Sequence, residues 1–158
     1  MRLASTILAL IGFGFVSQAM AERAVRSGGD WLQDCDAFIS ALKGGEPGDD
    51  LDITYCVGQT EGIIAGLATG SRIGAVGMAS KLTLAYGLDR GQVFEIFEKT
   101  SSEDLLGICI SDEERTGALV LVVAEFLEAN PDAVALPVTA AFFQSLQARF
   151  PCAPPEAG

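Results

Sequence analysis

The last third of the chain, from Cys109 to Cys152, constrains the fold most, because two apolar helical patterns lie between those cysteines. The first pattern repeats at the spacing of one helical face, with apolar residues at Leu119, Val122, Val123, Phe126 and Leu127. The second begins at Leu136-Pro137, where proline suits a first helical position, and ends at Pro151-Cys152. We therefore predict an antiparallel helical hairpin that a disulfide could close.

The preceding residues also predict helices. Asp30 is a candidate N-cap for a first helix, and a second is expected from Asp52 to about Ala68. A further helix is expected within Ser71–Gly87, and Asp89 is a candidate cap for the next. We predict an all-α fold, one compact domain of about five helices over residues 22–152.

The second helix carries glycines four residues apart, although each interior glycine costs about 0.5 to 1 kcal/mol relative to alanine. This spacing is typical of membrane helices that pack closely, but Gln59 and Glu61 argue against a lipid-embedded span. We predict instead that a neighbouring helix of the same domain crosses this helix at short distance. The glycines are Gly58, Gly62, Gly66 and Gly70.

The first residues predict an export signal. Arg2 precedes an apolar run from Leu3 to Val16, and Ala19-Met20-Ala21 suits cleavage after Ala21. The run is shorter than the roughly 20 residues that a spanning helix needs, so no stable membrane insertion is expected. Residues 1–21 are therefore the predicted signal peptide, residues 22–152 the domain, and residues 153–158 a disordered tail.

Charge and composition narrow the possible partners. The formal net charge of −11 argues against nucleic acid, whose phosphates attract Lys and Arg. It is compatible with a basic protein partner, and equally with a role in solubility alone. The chain has no histidine, which removes Ser-His-Asp and Cys-His catalysis and the commonest metal ligand.

The acidic residues fall where loops and helix starts are expected. Ser111-Asp112-Glu113-Glu114 predicts a capping box, and the acids at 49, 50 and 52 lack the spacing of a calcium loop. We therefore predict a protein that is not an enzyme, with no catalytic residue, no metal and no cofactor.

Four cysteines remain after the signal, namely Cys35, Cys56, Cys109 and Cys152. An even number in an exported chain predicts two disulfides. Three pairings are possible, and spacing alone does not choose among them. Antiparallel packing of the first two helices would allow Cys35 to meet Cys56 and clamp the loop between them.

Several local motifs carry a family resemblance. Cys56–Gly62 opens the second helix, Phe126–Pro131 ends a later one, and Phe150-Pro151-Cys152 closes the domain, after a signal peptide and a cysteine on the first helix. Together they resemble the immunity proteins that protect bacteria from type VI secretion amidases, the Rap/Tai group of small exported helical proteins.

The resemblance implies a periplasmic protein that binds a peptidoglycan-cleaving amidase and occludes its active-site groove, often as a homodimer. Together with the geometry of helical hairpins, it implies the pairs Cys35–Cys56 and Cys109–Cys152. An exposed acidic loop would suit a basic groove, so Glu46, Asp49 and Asp50 are candidate contacts. The alternative is a periplasmic structural or chaperone-like helical module without a toxin partner, and an enzyme is the third hypothesis.

Overall fold

The computed structural model describes residues 25–111 and 113–153, so the predicted signal peptide at 1–21 and the tail beyond residue 153 lie outside the described residues. Within these two ranges the chain forms helices and no β-strand, only two isolated bridges. The prediction of an all-α fold is confirmed. The elements are α1 (Gly28–Leu42), α2 (Asp50–Tyr86), α3 (Arg90–Lys99), α4 (Ser102–Leu106), α5 (Thr116–Ala129), a 3-10 helix (Pro131–Ala135) and α6 (Val138–Arg149).

Helix α1 begins one turn earlier than its predicted cap. Ser27 is the N-cap, and its hydroxyl accepts a hydrogen bond from the Asp30 backbone N–H at 3.1 Å. The Asp30 carboxylate accepts a hydrogen bond from the Ser27 backbone N–H at 2.8 Å. Asp30 is therefore the second member of a capping box, not the cap itself.

Helix α2 is one unbroken element of 37 residues, about 55 Å long. The prediction of a helix that ends near Ala68 and a separate one within 71–87 is therefore wrong. Helix α2 packs against α1, α3, α4, α5 and α6. These contacts outweigh the low helix propensity of its glycines, and α2 ends only at Gly87, whose φ is +63°.

By length and composition, α2 is the one helix within 25–111 and 113–153 that could cross a membrane. Its first half nevertheless lies against the core. Cys56 and Thr60 are fully buried there, and the disulfide of Cys56 to α1 joins the helix to the rest of the domain.

The hydrophobic core lies between α1, α5 and α6. Trp31 of α1 and Phe142 of α6 meet edge to face, with ring centroids 5.0 Å apart. An aromatic pair of this kind adds about 0.5 to 1.5 kcal/mol beyond its buried area. Three fully buried side chains of α5, Val120, Val123 and Leu127, belong to the same core cluster. The predicted C-terminal hairpin is thus present, and α1 packs across it.

The segment from Gly107 to Arg115 departs from the predicted capping box. Helix α5 begins at Thr116, and its N-cap, Arg115, makes no side-chain capping bond. The Ser111 carbonyl instead accepts a hydrogen bond from the Glu114 backbone N–H at 3.0 Å, which forms a turn ahead of the helix. Cys109 is held by a hydrogen bond from its N–H to the Phe150 carbonyl at 2.8 Å.

The cysteines form two disulfides, Cys35–Cys56 and Cys109–Cys152, each with an S–S distance of 2.07 Å. These are the two pairs that the resemblance implies. The first joins α1 to α2, and the second joins the segment before α5 to the end of the hairpin. Each disulfide therefore links parts of the domain that the core also brings together.

The glycines of α2 are not covered by another helix of the domain. A Cβ built at Gly58, Gly62, Gly66 or Gly70 would meet no atom within 4 Å, apart from the local helix backbone. All four glycines are exposed. The prediction that a helix of the same domain crosses them closely is therefore wrong.

Candidate partner-binding surface

The loop between α1 and α2 follows a course that its glycines permit. Gly44 has a φ of +88°, a conformation that favours glycine. A Cβ at Gly48 would stand only 2.5 Å from the Ala37 Cβ, so the loop folds back closely against α1. At its start, Lys43 forms a salt bridge with Glu128 of α5 at 2.7 Å.

The disulfide between Cys35 and Cys56 clamps the two helices below this loop. The Cα atoms of the two residues lie 5.0 Å apart, and both side chains are fully buried. The loop is therefore held at its base by a covalent bond and at its start by an ion pair. Such anchoring lowers the entropy that the loop loses when it binds a partner.

The three predicted contact residues lie on this loop and on the first turn of α2. Glu46, Asp49 and Asp50 are all exposed. Asp49 also has a structural role, because its carboxylate accepts a hydrogen bond from the Leu51 N–H and caps α2. Glu46 and Asp50 are therefore the acids whose charge can be altered without removing the cap.

An aromatic and cationic pocket, which the sequence did not point to, adjoins the start of α2. Arg26 donates a hydrogen bond to the Tyr55 hydroxyl at 3.0 Å and pairs with the Asp34 carboxylate. Gln59 donates to the same carboxylate at 2.9 Å. The hydrogen bond to Tyr55 and the nearby charge of Asp34 raise the pKa of Arg26. The pocket has a volume of about 340 Å³, and Trp31 is among its lining residues.

Two exposed side chains of this region, Arg26 and Tyr55, belong to residue types that are enriched in protein-binding hot spots. Leu51 is 73% exposed and Tyr55 is 51% exposed, and their spacing places them on one face of α2. Tyr55 is 29 residues from Arg26, so no local pattern could have grouped them. The loop acids and this pocket together form what we call the candidate partner-binding surface.

The side chains of this surface are of kinds that bind another protein. They include carboxylates, a guanidinium, a phenol and an apolar leucine. Throughout residues 25–111 and 113–153, no group of three His, Cys, Asp or Glu side chains is placed to hold a metal ion. All four cysteines are held in disulfides.

Comparison with protein families gave a match over most of the chain. The family described as Rap1a immunity proteins matches residues 27–152. This range begins at the cap of α1 and ends at the last cysteine, and so includes both disulfides. Comparisons with curated proteins and with solved structures gave no significant match.

Proposed function

Because the chain belongs to the Rap1a immunity protein family, we propose that it protects its cell by binding a type VI secreted peptidoglycan amidase in the periplasm. The family itself indicates an immunity protein that binds a secreted effector and acts as an inhibitor without chemistry of its own. To this family role we add two proposals, that the effector is a peptidoglycan amidase and that binding takes place in the periplasm.

One observation carries the choice of binding surface. The loop between α1 and α2 is acidic and exposed, yet is held by a disulfide at its base and an ion pair at its start. An exposed loop that is already held in place can bind a groove with little loss of conformational entropy. Its charge would accelerate encounter with a basic groove.

The proposed mechanism is steric occlusion. The acidic loop would occupy the active-site groove of the amidase, while Tyr55 and Leu51 would pack against the rim of the groove. Aromatic anchors of this kind commonly contribute more than 1 kcal/mol to binding. The homodimeric state that the resemblance implies is part of the proposal, with each copy presenting one loop.

The direct test is inhibition. The enzyme to purify is a type VI secreted peptidoglycan amidase whose gene lies next to the gene for this chain. Its hydrolysis of peptidoglycan would be measured with increasing amounts of the disulfide-bonded mature chain. We expect activity to fall to near zero at equal molar amounts. Full activity in a large excess of the chain would rule out neutralisation of that amidase. Capture of amidases from periplasmic extract at low salt provides an independent check.

The contribution of the acidic loop is tested by charge reversal. We expect a Glu46→Lys and Asp50→Lys double variant to bind the amidase about 10-fold or more slowly at low salt, because electrostatic steering raises on-rates by about 10 to 10³. The salt dependence of association should also become flatter. Surface plasmon resonance over a range of ionic strengths measures both effects.

The matched control for this variant is the double variant Glu95→Lys and Glu98→Lys, which changes the net charge by the same amount. Both residues are exposed on α3, and α3 packs mainly against α2, so this change alters charge away from the loop. An on-rate that falls equally in the control would show that total charge, rather than the loop, governs association. A third variant, Asp49→Asn, removes a loop charge but keeps an N-cap residue.

A further inference from the structure

The second half of α2 extends past the core with more than half of its circumference uncovered. The core cluster includes no residue of α2 beyond Leu67. From Gly70 to Tyr86, every residue within an arc of about 200° at 100° per residue is exposed, apart from the half-buried Ser80. We call this arc the α2 distal face. Its members are Gly70, Ile73, Gly74, Val76, Gly77, Met78, Ser80, Lys81, Leu84 and Ala85.

This face presents large apolar side chains to solvent. Leu84 is 86% exposed, Ile73 is 69% exposed and Met78 is 55% exposed. An 18-residue window of α2 has a mean hydropathy of 1.3, yet only 11% of that window is buried. A continuous apolar surface that the domain itself does not cover indicates an interaction surface.

The charge of this part of the chain differs in sign from that of the whole. No acid lies between Glu61 and Asp89, whereas the same stretch contains Arg72 and Lys81. The whole chain has a formal net charge of −11. Lys81 lies on the distal face and forms no ion pair among the residues that the structure describes. An apolar surface with a lysine and no acid is complementary to an anionic partner.

We propose that the α2 distal face binds the surface of a bilayer that contains anionic phospholipid. Helices with one apolar side and basic residues lie on membranes with the apolar side buried between the head groups and the acyl chains. Ile73 and Leu84 enter this region. Lys81 contacts the lipid phosphates, because a long lysine side chain can extend its ammonium group toward polar surroundings.

The polar groups of the face favour lipid over a protein. The Ser80 hydroxyl is the only one on the face, and it already donates to the Val76 carbonyl at 3.0 Å. A protein interface usually contains about one hydrogen bond per 100–200 Å², yet only Lys81 remains as a side-chain donor here. The same face of a second copy has no acid to accept from Lys81, and the basic groove of the proposed amidase would repel it.

A cavity beside the face combines the two kinds of group that contact a phospholipid. Its volume is about 400 Å³, and its lining includes Leu84, Leu88 and Arg90. The Arg90 guanidinium lies 5.3 Å from the centroid of the Phe94 ring. A lipid phosphate can pair with the guanidinium, while the adjoining acyl chain contacts the two leucines.

The helix lies along the membrane surface and does not span it. The opposite side of α2 is covered, since Ala75 and Ala79 are buried and α3 packs against α2. Helix α3 carries Glu95 and Glu98, which do not enter hydrocarbon readily. The acidic loop stays clear of the bound lipid. Its last acid, Asp50, is about 50 Å along α2 from Leu84, several times the Debye length of about 8 Å.

Co-sedimentation with lipid vesicles tests the proposal on the disulfide-bonded mature chain alone. We expect binding to vesicles of equal parts phosphatidylglycerol and phosphatidylcholine, and at least tenfold weaker binding to phosphatidylcholine alone. Leu84→Glu should weaken binding to the anionic vesicles at least tenfold, because it replaces an apolar contact with a carboxylate. The unfolding midpoint of this variant without lipid should not fall, because Leu84 is exposed.

The matched control is Val25→Glu, which adds the same charge at a residue that is 73% exposed. The neighbouring Arg26 donates a hydrogen bond to Tyr55, which lies about 44 Å along α2 from Leu84. Val25→Glu should therefore leave vesicle binding unchanged.

The role of Lys81 is tested by removing its charge. Lys81→Gln should weaken binding to the anionic vesicles about fivefold, the usual contribution of one basic residue near such a surface. Arg115→Gln removes the same charge elsewhere and should have no such effect. Arg115 precedes Thr116, whose hydroxyl donates to Glu61, about 30 Å along α2 from Lys81.

Tryptophan fluorescence identifies the face that enters the bilayer. The chain has one tryptophan, Trp31, which is buried in the core. In a Leu84→Trp variant, the emission should shift to shorter wavelength when anionic vesicles are added. A Val25→Trp variant should show no shift.

Absence of binding to the anionic vesicles at every lipid concentration would overturn the proposal, including when a second copy or the amidase covers the face instead. Equal losses of binding in Leu84→Glu and Val25→Glu would overturn it as well. The proposal does not rest on the proposed function. A chain that bound the vesicles as described but left amidase activity intact would support membrane binding and contradict amidase inhibition.

Discussion

At the scale of single residues, Ser27 and Asp30 fix where the domain begins to be helical. Each accepts a hydrogen bond from the other's backbone N–H, at 3.1 and 2.8 Å. The residue that follows this box is Trp31, which is 1% exposed. The box therefore sets the direction in which the first large core side chain enters the domain.

Loss of this box should be measurable in the free energy of unfolding. Ser27→Ala should lower it by about 1 kcal/mol, the usual contribution of an N-cap side chain. Chemical denaturation with circular dichroism measures the change. Asp36→Asn, on an exposed position of α1, serves as the control and should change stability by less than about 0.5 kcal/mol.

The box also makes part of this stability depend on pH. Hydrogen bonds from the Ser27 backbone and hydroxyl lower the pKa of Asp30 in the folded chain. The resulting stability is fully present above the unfolded-state pKa of about 3.9 and is lost as the pH falls through the lower folded-state pKa. Asp30→Asn should therefore reduce stability at pH 7 and differ less from wild type at pH 2. An equal difference at both pH values would contradict this assignment.

At the scale of elements, α2 shows how tertiary contacts extend a helix through residues that disfavour it. Gly70 and Gly74 lie in its middle, and neither has a neighbour at the Cβ position. Their presence therefore reflects no packing need inside the monomer. Gly87 differs, because its φ of +63° is the conformation that ends the helix.

These two kinds of glycine predict opposite effects of the same substitution. Gly70→Ala should raise the free energy of unfolding by about 0.5 to 1 kcal/mol, because alanine has the higher helix propensity and no clash results. Gly87→Ala should lower it by about 1 to 2 kcal/mol, because a Cβ is strained in the left-handed region. Urea denaturation at a concentration where the chain is monomeric measures both. If the Gly87→Ala variant were more stable than the wild type, the conclusion that the left-handed conformation of Gly87 ends α2 would be refuted.

At the scale of the whole molecule, one core links the N-terminal helix to the C-terminal hairpin. Phe142 of α6 is fully buried and contacts Trp31 of α1. The Cys109–Cys152 disulfide closes the hairpin, and the Cys35–Cys56 disulfide joins α2 to α1. The candidate partner-binding surface is thus built on a strongly cross-linked part of the fold.

Truncation of a large side chain in this core should lower the stability of the protein strongly. Phe142→Ala should lower the free energy of unfolding by about 3 to 5 kcal/mol, because it removes a large buried ring and leaves a cavity. Phe143→Ala is the matched control, since the next residue on α6 is only half-buried and should cost less. Thermal and urea denaturation of both variants measure the difference. Equal losses would show that the core is not centred on the Trp31–Phe142 contact.

The sequence by itself determined the all-α class and the hairpin between Cys109 and Cys152. Both follow from apolar periodicity and turn residues, which are local properties of the chain. The same local rules located the cap at Asp89, which accepts a hydrogen bond from the Gln92 N–H at 2.8 Å. They failed at Asp30, because Ser27 takes the cap position of α1, and at Ser111, because α5 begins later, at Thr116, and has no side-chain cap.

Only the tertiary structure decided the length of α2, the exposure of its glycines and the pocket of Arg26 and Tyr55. Helix length depends on contacts with α1 and α3 that are distant in sequence, and these outweigh local propensity. The sequence placed Glu46, Asp49 and Asp50 on one loop because they are near neighbours along the chain, whereas α2 in fact begins at Asp50. It could not show that Asp49 is committed to a cap, because that depends on the hydrogen-bonding geometry at the start of α2.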